Sequence, residues 1–142
     1  MNKCLLDTDT FSEIEKGRNK LVMLRAREYR AEWGFLTVSA ITAMEIIHGL
    51  WLSNNSRLLS KFAVTLANEE FLAFEVATAE LAGKISAELD KRGIPIGLND
   101  PMIAATAIEH GLVLVTGNTK HYERLRQIGF PLQLANWRES DS

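Results

Sequence analysis

At 142 residues, with 46% hydrophobic residues and a formal charge of −2, the chain has the makeup of a single globular domain spanning 1–142. That balance excludes a strongly basic nucleic-acid domain, so contact with a polyanion needs locally concentrated Lys and Arg. No stretch is apolar enough to span a bilayer, Asp7 and Asp9 interrupt any leader-like start, and the single cysteine, Cys4, cannot form an intramolecular disulfide. A cytoplasmic protein with no membrane partner is expected.

Residues 3–6 form a short apolar run that reads as a buried strand, with Cys4 as a core thiol. It ends abruptly in Asp7-Thr8-Asp9-Thr10. Residues 10–16 read as a short helix ended by Gly17, with Asp9 a possible cap. Residues 19–32 are helix-like, and residues 35–38 are a second apolar run. Ser39 is a good N-cap for a helix over residues 40–52. Residues 55–67 space Leu58, Leu59, Phe62 and Leu66 as on one helical face. A third strand is expected over residues 72–76 and a helix over 77–91. A loop over 93–98 leads to a helix over 100–110, closed by Gly111. Residues 112–115 are a β-branched strand, 119–128 a last helix, and 132–134 a closing edge strand. The tail after Trp137 is expected to fray. Strands alternating with helices imply an α/β fold with a parallel sheet covered on both faces.

Three acids stand out by context. Asp7 ends the first strand, where open α/β sheets bind ligands. Glu45 lies in an unusually apolar helix, Ala43-Met44-Glu45-Ile46-Ile47. Asp100 opens a helix just before Pro101. Asn118 follows the strand over 112–115 and would share its carboxyl edge with Asp7. Each has a plainer role open to it. Asp100 is a good N-cap, Glu45 can be a solvated side chain and Asn118 a turn residue. Whether the Asp100 helix starts at the same sheet edge as Asp7 is left open by the sequence. Converging carboxylates repel one another unless a cation joins them. Oxygen ligands suit Mg²⁺ or Mn²⁺, and such a site suits phosphodiester hydrolysis.

These residues resemble the four motifs of the PIN-domain ribonucleases, specifically the VapC-like toxins of toxin–antitoxin pairs. The motifs are Leu5-Leu6-Asp7-Thr8-Asp9, Ser39 to Leu50 around Glu45, Asn99-Asp100-Pro101-Met102, and Leu114-Val115-Thr116-Gly117-Asn118 with the helix after it. The resemblance implies a three-layer α/β/α sandwich around a short parallel sheet. It implies Asp7, Glu45 and Asp100 as ligands of Mg²⁺ or Mn²⁺, and a metal-dependent endoribonuclease that attacks an RNA phosphate in line. Its partners would be RNA, a small VapB-like antitoxin that fills the site, and a second copy in a homodimer. Operator DNA would be reached only through the antitoxin. The fourth motif often carries Asp where this chain has Asn118, which favours one cation over two, with Asp9 and Thr116 in support. Substrate contacts would come from Lys84, Lys91, Arg92, Lys120, Arg124 and Arg126, with Tyr122 either stacking on a base or packing its helix.

Two alternatives fit part of the pattern. Asp7-Thr8-Asp9-Thr10 also resembles the Asp-x-Asp-x-Thr of haloacid-dehalogenase-type phosphatases, with Asp7 as nucleophile and Asp9 as acid. That chemistry wants a downstream Lys and a Gly-Asp pair, and the chain has no Gly-Asp pair. A catalytically degenerate PIN-like binding module is suggested by Asn118 alone.

Overall fold

The apolar runs picked out in the sequence build one central sheet, each run cut to three residues. The computed structural model of the chain describes residues 1–140. Its strands are β1 Cys4–Leu6, β2 Thr37–Ser39, β3 Glu70–Leu72, β4 Val113–Val115 and β5 Gln133–Ala135. All are parallel, in the order β3-β2-β1-β4-β5. Helices α1 Thr8–Lys16 and α2 Lys20–Trp33 join β1 to β2. Helices α3 Ala40–Leu52 and α4 Ser56–Asn68 join β2 to β3. Helices α5 Val76–Lys91 and α6 Asn99–Glu109 lead to β4, and α7 Thr119–Gln127 leads to β5. Right-handed crossovers place the first four helices on one face and the last three on the other. The expected α/β/α sandwich is observed.

Strand residues alternate between two cores, as the pleat requires. Leu5 and Leu114 join Ile85, Leu89, Ile103 and Leu125 on one face. Cys4, Leu6, Val38 and Val115 join Phe11, Val22, Tyr29 and Trp137 on the other. The inner strands β1 and β4 are therefore apolar on both sides, which explains their unbroken runs.

The strand order reverses between β1 and β4, since β2 and β3 step away on one side and β4 returns to the other. In open sheets that reversal opens a crevice at the carboxyl edge. Leu6 is in register with Val38 and with Val115. The next residues, Asp7, Ser39 and Thr116, therefore stand in a row along that edge.

Several boundaries differ from expectation. Asp7, not Asp9, caps α1: its Oδ1 accepts from the Thr10 amide at 2.8 Å, and Asp9 lies in the first turn. Asp100 does not cap α6. Leu98 holds that position, and Pro101 falls inside the first turn, where its missing N–H costs nothing. Strand β3 lies earlier than residues 72–76. Thr37 pairs with Glu70, whose carboxylate takes bonds from Thr37 Oγ1 and Lys3 Nζ. A helix that feeds a parallel strand runs opposite to it, so α6 starts at the carboxyl edge beside Asp7. The fraying expected after Trp137 does not begin at Arg138, whose amide donates to Asn136 Oδ1 at 2.9 Å, next to a Trp137 buried on Tyr29 with ring centroids 6.0 Å apart. The part of that expectation falling on residues 141–142 lies outside the described residues. Among the described residues no helix is long and apolar enough to cross a membrane.

Candidate active site

One cleft at the carboxyl edge, of about 150 Å³, is lined by Asp7, Thr8, Asp9, Glu45, Asp100, Asn118 and Tyr122. It gathers the four expected residues, Asp7, Glu45, Asp100 and Asn118, from four elements. Asp9 joins them at the rim, and the expected support Thr116 lies buried beneath Asp7.

Asp7 is the deepest acid, 5% exposed. Burial pushes its carboxyl above the usual range, although bonds from the Thr116 hydroxyl and the Thr10 amide pull the other way. Thr116 Oγ1 also accepts from the Asn118 amide at 3.0 Å. One hydroxyl thus ties the end of β4 to Asp7 and shapes the turn that presents Asn118. The Asn118 side chain makes no capping bond to α7 and is free to face the cleft.

Glu45 is half-buried and held by hydroxyls. Thr8 Oγ1 donates to Glu45 Oε1 at 2.6 Å. Having spent its proton there, Thr8 accepts from Thr42 Oγ1 at 3.0 Å. Thr42 in turn accepts from Ser39 Oγ at 3.3 Å, and Ser39 accepts from the Thr42 amide at 3.1 Å. The chain has one direction, from a buried amide through three hydroxyls to the carboxylate, and each bond polarises the next. Glu45 is therefore more than a solvated helical side chain.

Asp100 is held from α7. His121 Nε2 donates to Asp100 Oδ2 at 2.8 Å and shares that proton with the Ile96 carbonyl at 3.1 Å. The Tyr122 hydroxyl bonds the same carboxylate. Burial first, then Asp100, Asp7 and Glu45, push this phenol far above its ordinary value, so it stays a donor. Of the two roles open to Tyr122, packing its helix is the one observed. Its ring packs in the core, and its hydroxyl reaches the acids.

His121, Thr8, Thr42 and Ser39 were missed as site residues. A signal was present for two of them: Thr42 lies one helical turn before Glu45, and Thr8 lies beside Asp7. Nothing local marks His121, whose partner is 21 positions away.

Could these residues hold a divalent cation? The donor set fits one: carboxylate, amide and hydroxyl oxygens, with no sulfur or imidazole nitrogen lining the cleft. Among the described residues no three His, Cys, Asp or Glu groups already stand as a ready-made cage. Instead each acid leans on its own donors, as mutually repelling carboxylates do. Glu45 and Asp100 would have to move toward Asp7 to share an ion with it.

Most of the expected substrate cations are occupied elsewhere. Lys91 and Arg92 pair with Glu88, Arg126 pairs with Glu123, and Arg124 donates to the Pro95 carbonyl. The phosphatase alternative finds no lysine in the cleft, and Asp7 is committed to two donors.

Residues 4–127 match the PIN-domain family model. This chain belongs to the PIN-domain family. The match covers every element bearing on the cleft, and relatives extend it. The PIN domain is 35% identical to the tRNA(fMet)-specific endonuclease VapC of Shigella flexneri, over 88% of this chain and 93% of that one. It is 33% identical to ribonuclease VapC2 of Haemophilus influenzae strain Rd, over 96% and 99%. Its fold is similar to DNA-bound VapBC from Salmonella typhimurium, with a TM-score of 0.78 and 31% identity, covering 96% of this chain and 99% of that one.

Proposed function

We propose that this PIN domain is a metal-dependent endoribonuclease and the toxin half of a toxin–antitoxin pair. One observation carries the proposal: Asp7, Glu45 and Asp100, from three separate elements, meet with Asn118 in one small cleft. The names of the Shigella and Haemophilus relatives, an endonuclease and a ribonuclease, support the same activity.

Asp7, Glu45 and Asp100 are the groups that would hold Mg²⁺ or Mn²⁺. A cation held there would supply a water of lowered pKa and shielding for the charge that develops on phosphorus. The chain's own contribution is positioning. Thr116 and the Thr10 amide aim Asp7, the hydroxyl chain aims Glu45, and His121 with Tyr122 aims Asp100. Asn118, neutral and bare, is free to orient water or a phosphate oxygen through its amide. Low exposure at Asp7 keeps bulk water from screening the site.

The substrate class is RNA, and initiator tRNA is the first to test because the Shigella relative is named for it. A VapB-like antitoxin is the proposed partner, with operator DNA reached through it. Support comes from the Salmonella relative, which was solved as a DNA-bound VapBC complex. A homodimer is the proposed assembly, tested by light scattering. The degenerate-module alternative rests on Asn118 alone, beside four intact carboxylates.

Purified protein with initiator tRNA and total RNA should cleave in Mn²⁺ or Mg²⁺ and stop in chelator. Asp7→Ala and Asp100→Ala should lose at least about a hundredfold in rate. Cleavage that persists in chelator, or in both variants, would overturn the mechanism.

A further inference from the structure

A cleft lined by four carboxylates repels an RNA strand unless cations flank it. Arg138 lies beside that cleft, carried there by the segment after β5. Its backbone is fixed by the Asn136 Oδ1 bond at 2.9 Å and by the buried Trp137 before it. Its guanidinium rests on the backbone of Gly117, the residue before Asn118. A Cβ at Gly117 would lie 2.4 Å from Nη1, so only glycine leaves that seat open. Nη1 and Nη2 make long contacts, 3.4 Å each, to the Thr10 hydroxyl and the Asp9 carbonyl.

Among the described residues the guanidinium has no counter-charge: both partners are neutral, and no carboxylate stands within ion-pair distance of it. Two contacts leave most of its five donors unspent. A planar fork with free donors matches a phosphate.

We infer that Arg138 is a phosphate clamp: it holds a backbone phosphate of the RNA next to the one cleaved. This rests on the proposed ribonuclease activity of the same cleft. Asp9 and Thr10 fix the guanidinium on one side, and the strand's phosphate takes the donors left over. The contact reads no base, so it sets affinity and register but not sequence preference.

The test is RNA binding by Asp7→Asn protein, which keeps the α1 cap and cannot turn over. Single-stranded RNA and initiator tRNA are titrated over a salt series. In that background Arg138→Gln keeps the neutral contacts and removes only the charge. It should weaken binding roughly three- to tenfold at low salt and reduce the salt slope by about 0.7. The loss should be equal across RNA sequences, and Arg138→Lys should recover part of it. Gly117→Ala should match the loss with the arginine still present. Arg92→Gln removes the same charge where Glu88 already neutralises it, and should change nothing. An unchanged slope in Arg138→Gln, or an equal loss in Arg92→Gln, would overturn the clamp while the nuclease proposal stands. Failure of the Asp7→Asn parent to bind any RNA would overturn both.

Discussion

His121 and Asp100, from the first turns of α7 and α6, are joined by one hydrogen bond, Nε2 to Oδ2 at 2.8 Å. The bond closes the cleft across the side of the sheet where β4 lies. The Ile96 carbonyl keeps the imidazole in place.

His121→Ala should therefore loosen Asp100 without opening the fold. The expected result is a roughly tenfold loss of Mn²⁺ affinity by calorimetry, with little change in the unfolding midpoint. Unchanged Mn²⁺ affinity would remove His121 from the site.

Tyr122→Phe keeps the buried ring and deletes the hydroxyl. It should cost at most about 1 kcal/mol of stability, since the half-exposed Asp100 carboxylate keeps His121 and can turn to water. Cleavage should fall roughly tenfold. Because His121 and Tyr122 grip the same carboxylate, the double variant should fall short of the sum of the two losses.

Thr8→Val breaks the hydroxyl chain at its last link. Glu45 loses its donor, and Thr42 is left donating to a methyl group. Roughly tenfold weaker Mn²⁺ binding is expected, while Thr8→Ser should recover most of it. Equal behaviour of the Val and Ser variants would show that Glu45 does not depend on the hydroxyl.

Asp7→Asn should separate stability from activity. The native carboxyl titrates above its unfolded value because it is buried. The folded state therefore holds its proton more tightly, and stability falls as pH rises from the unfolded value through the native one. Above that window the full penalty of a buried charge remains. Asn caps α1 as well as Asp does, so the variant should gain roughly 1 kcal/mol near neutral pH in metal-free buffer. Thermal melts should show that gain shrinking as pH falls through the window, from the raised native value down to the ordinary carboxylate value. Activity should be lost at every pH.

The sequence was most legible where chemistry and chain position coincide. Asp7 and Asn118 were found because each follows an apolar strand, and the carboxyl edge of a parallel sheet is where ligands gather. Glu45 was found because an acid is out of place on an apolar helix. The cap assignments at Asp9 and Asp100 each missed by two residues. Near Asp9 the segment offers several polar side chains, and at α6 the cap position falls on Leu98 with no side-chain cap at all, so only the packed backbone sets the start. Arg138 was hidden because its segment looked like a frayed end. Its place depends on Trp137 packing against Tyr29, a contact across the whole chain. The hydroxyl chain was hidden for a similar reason, since Thr8 and Thr42 are far apart in sequence and meet only through the sheet.

The cleft draws its side chains from residues 7 to 122, and no element supplies two of the three acids. Asp7 is made early, but its partner Thr116 and the donors that hold Asp100 follow more than about a hundred residues later. A growing chain that has not yet formed β4 and α7 has no assembled site. The hazard of the proposed nuclease therefore begins only after both halves of the cleft have been made, and a chain cut short before residue 116 lacks the groups that aim Asp7 and Asp100.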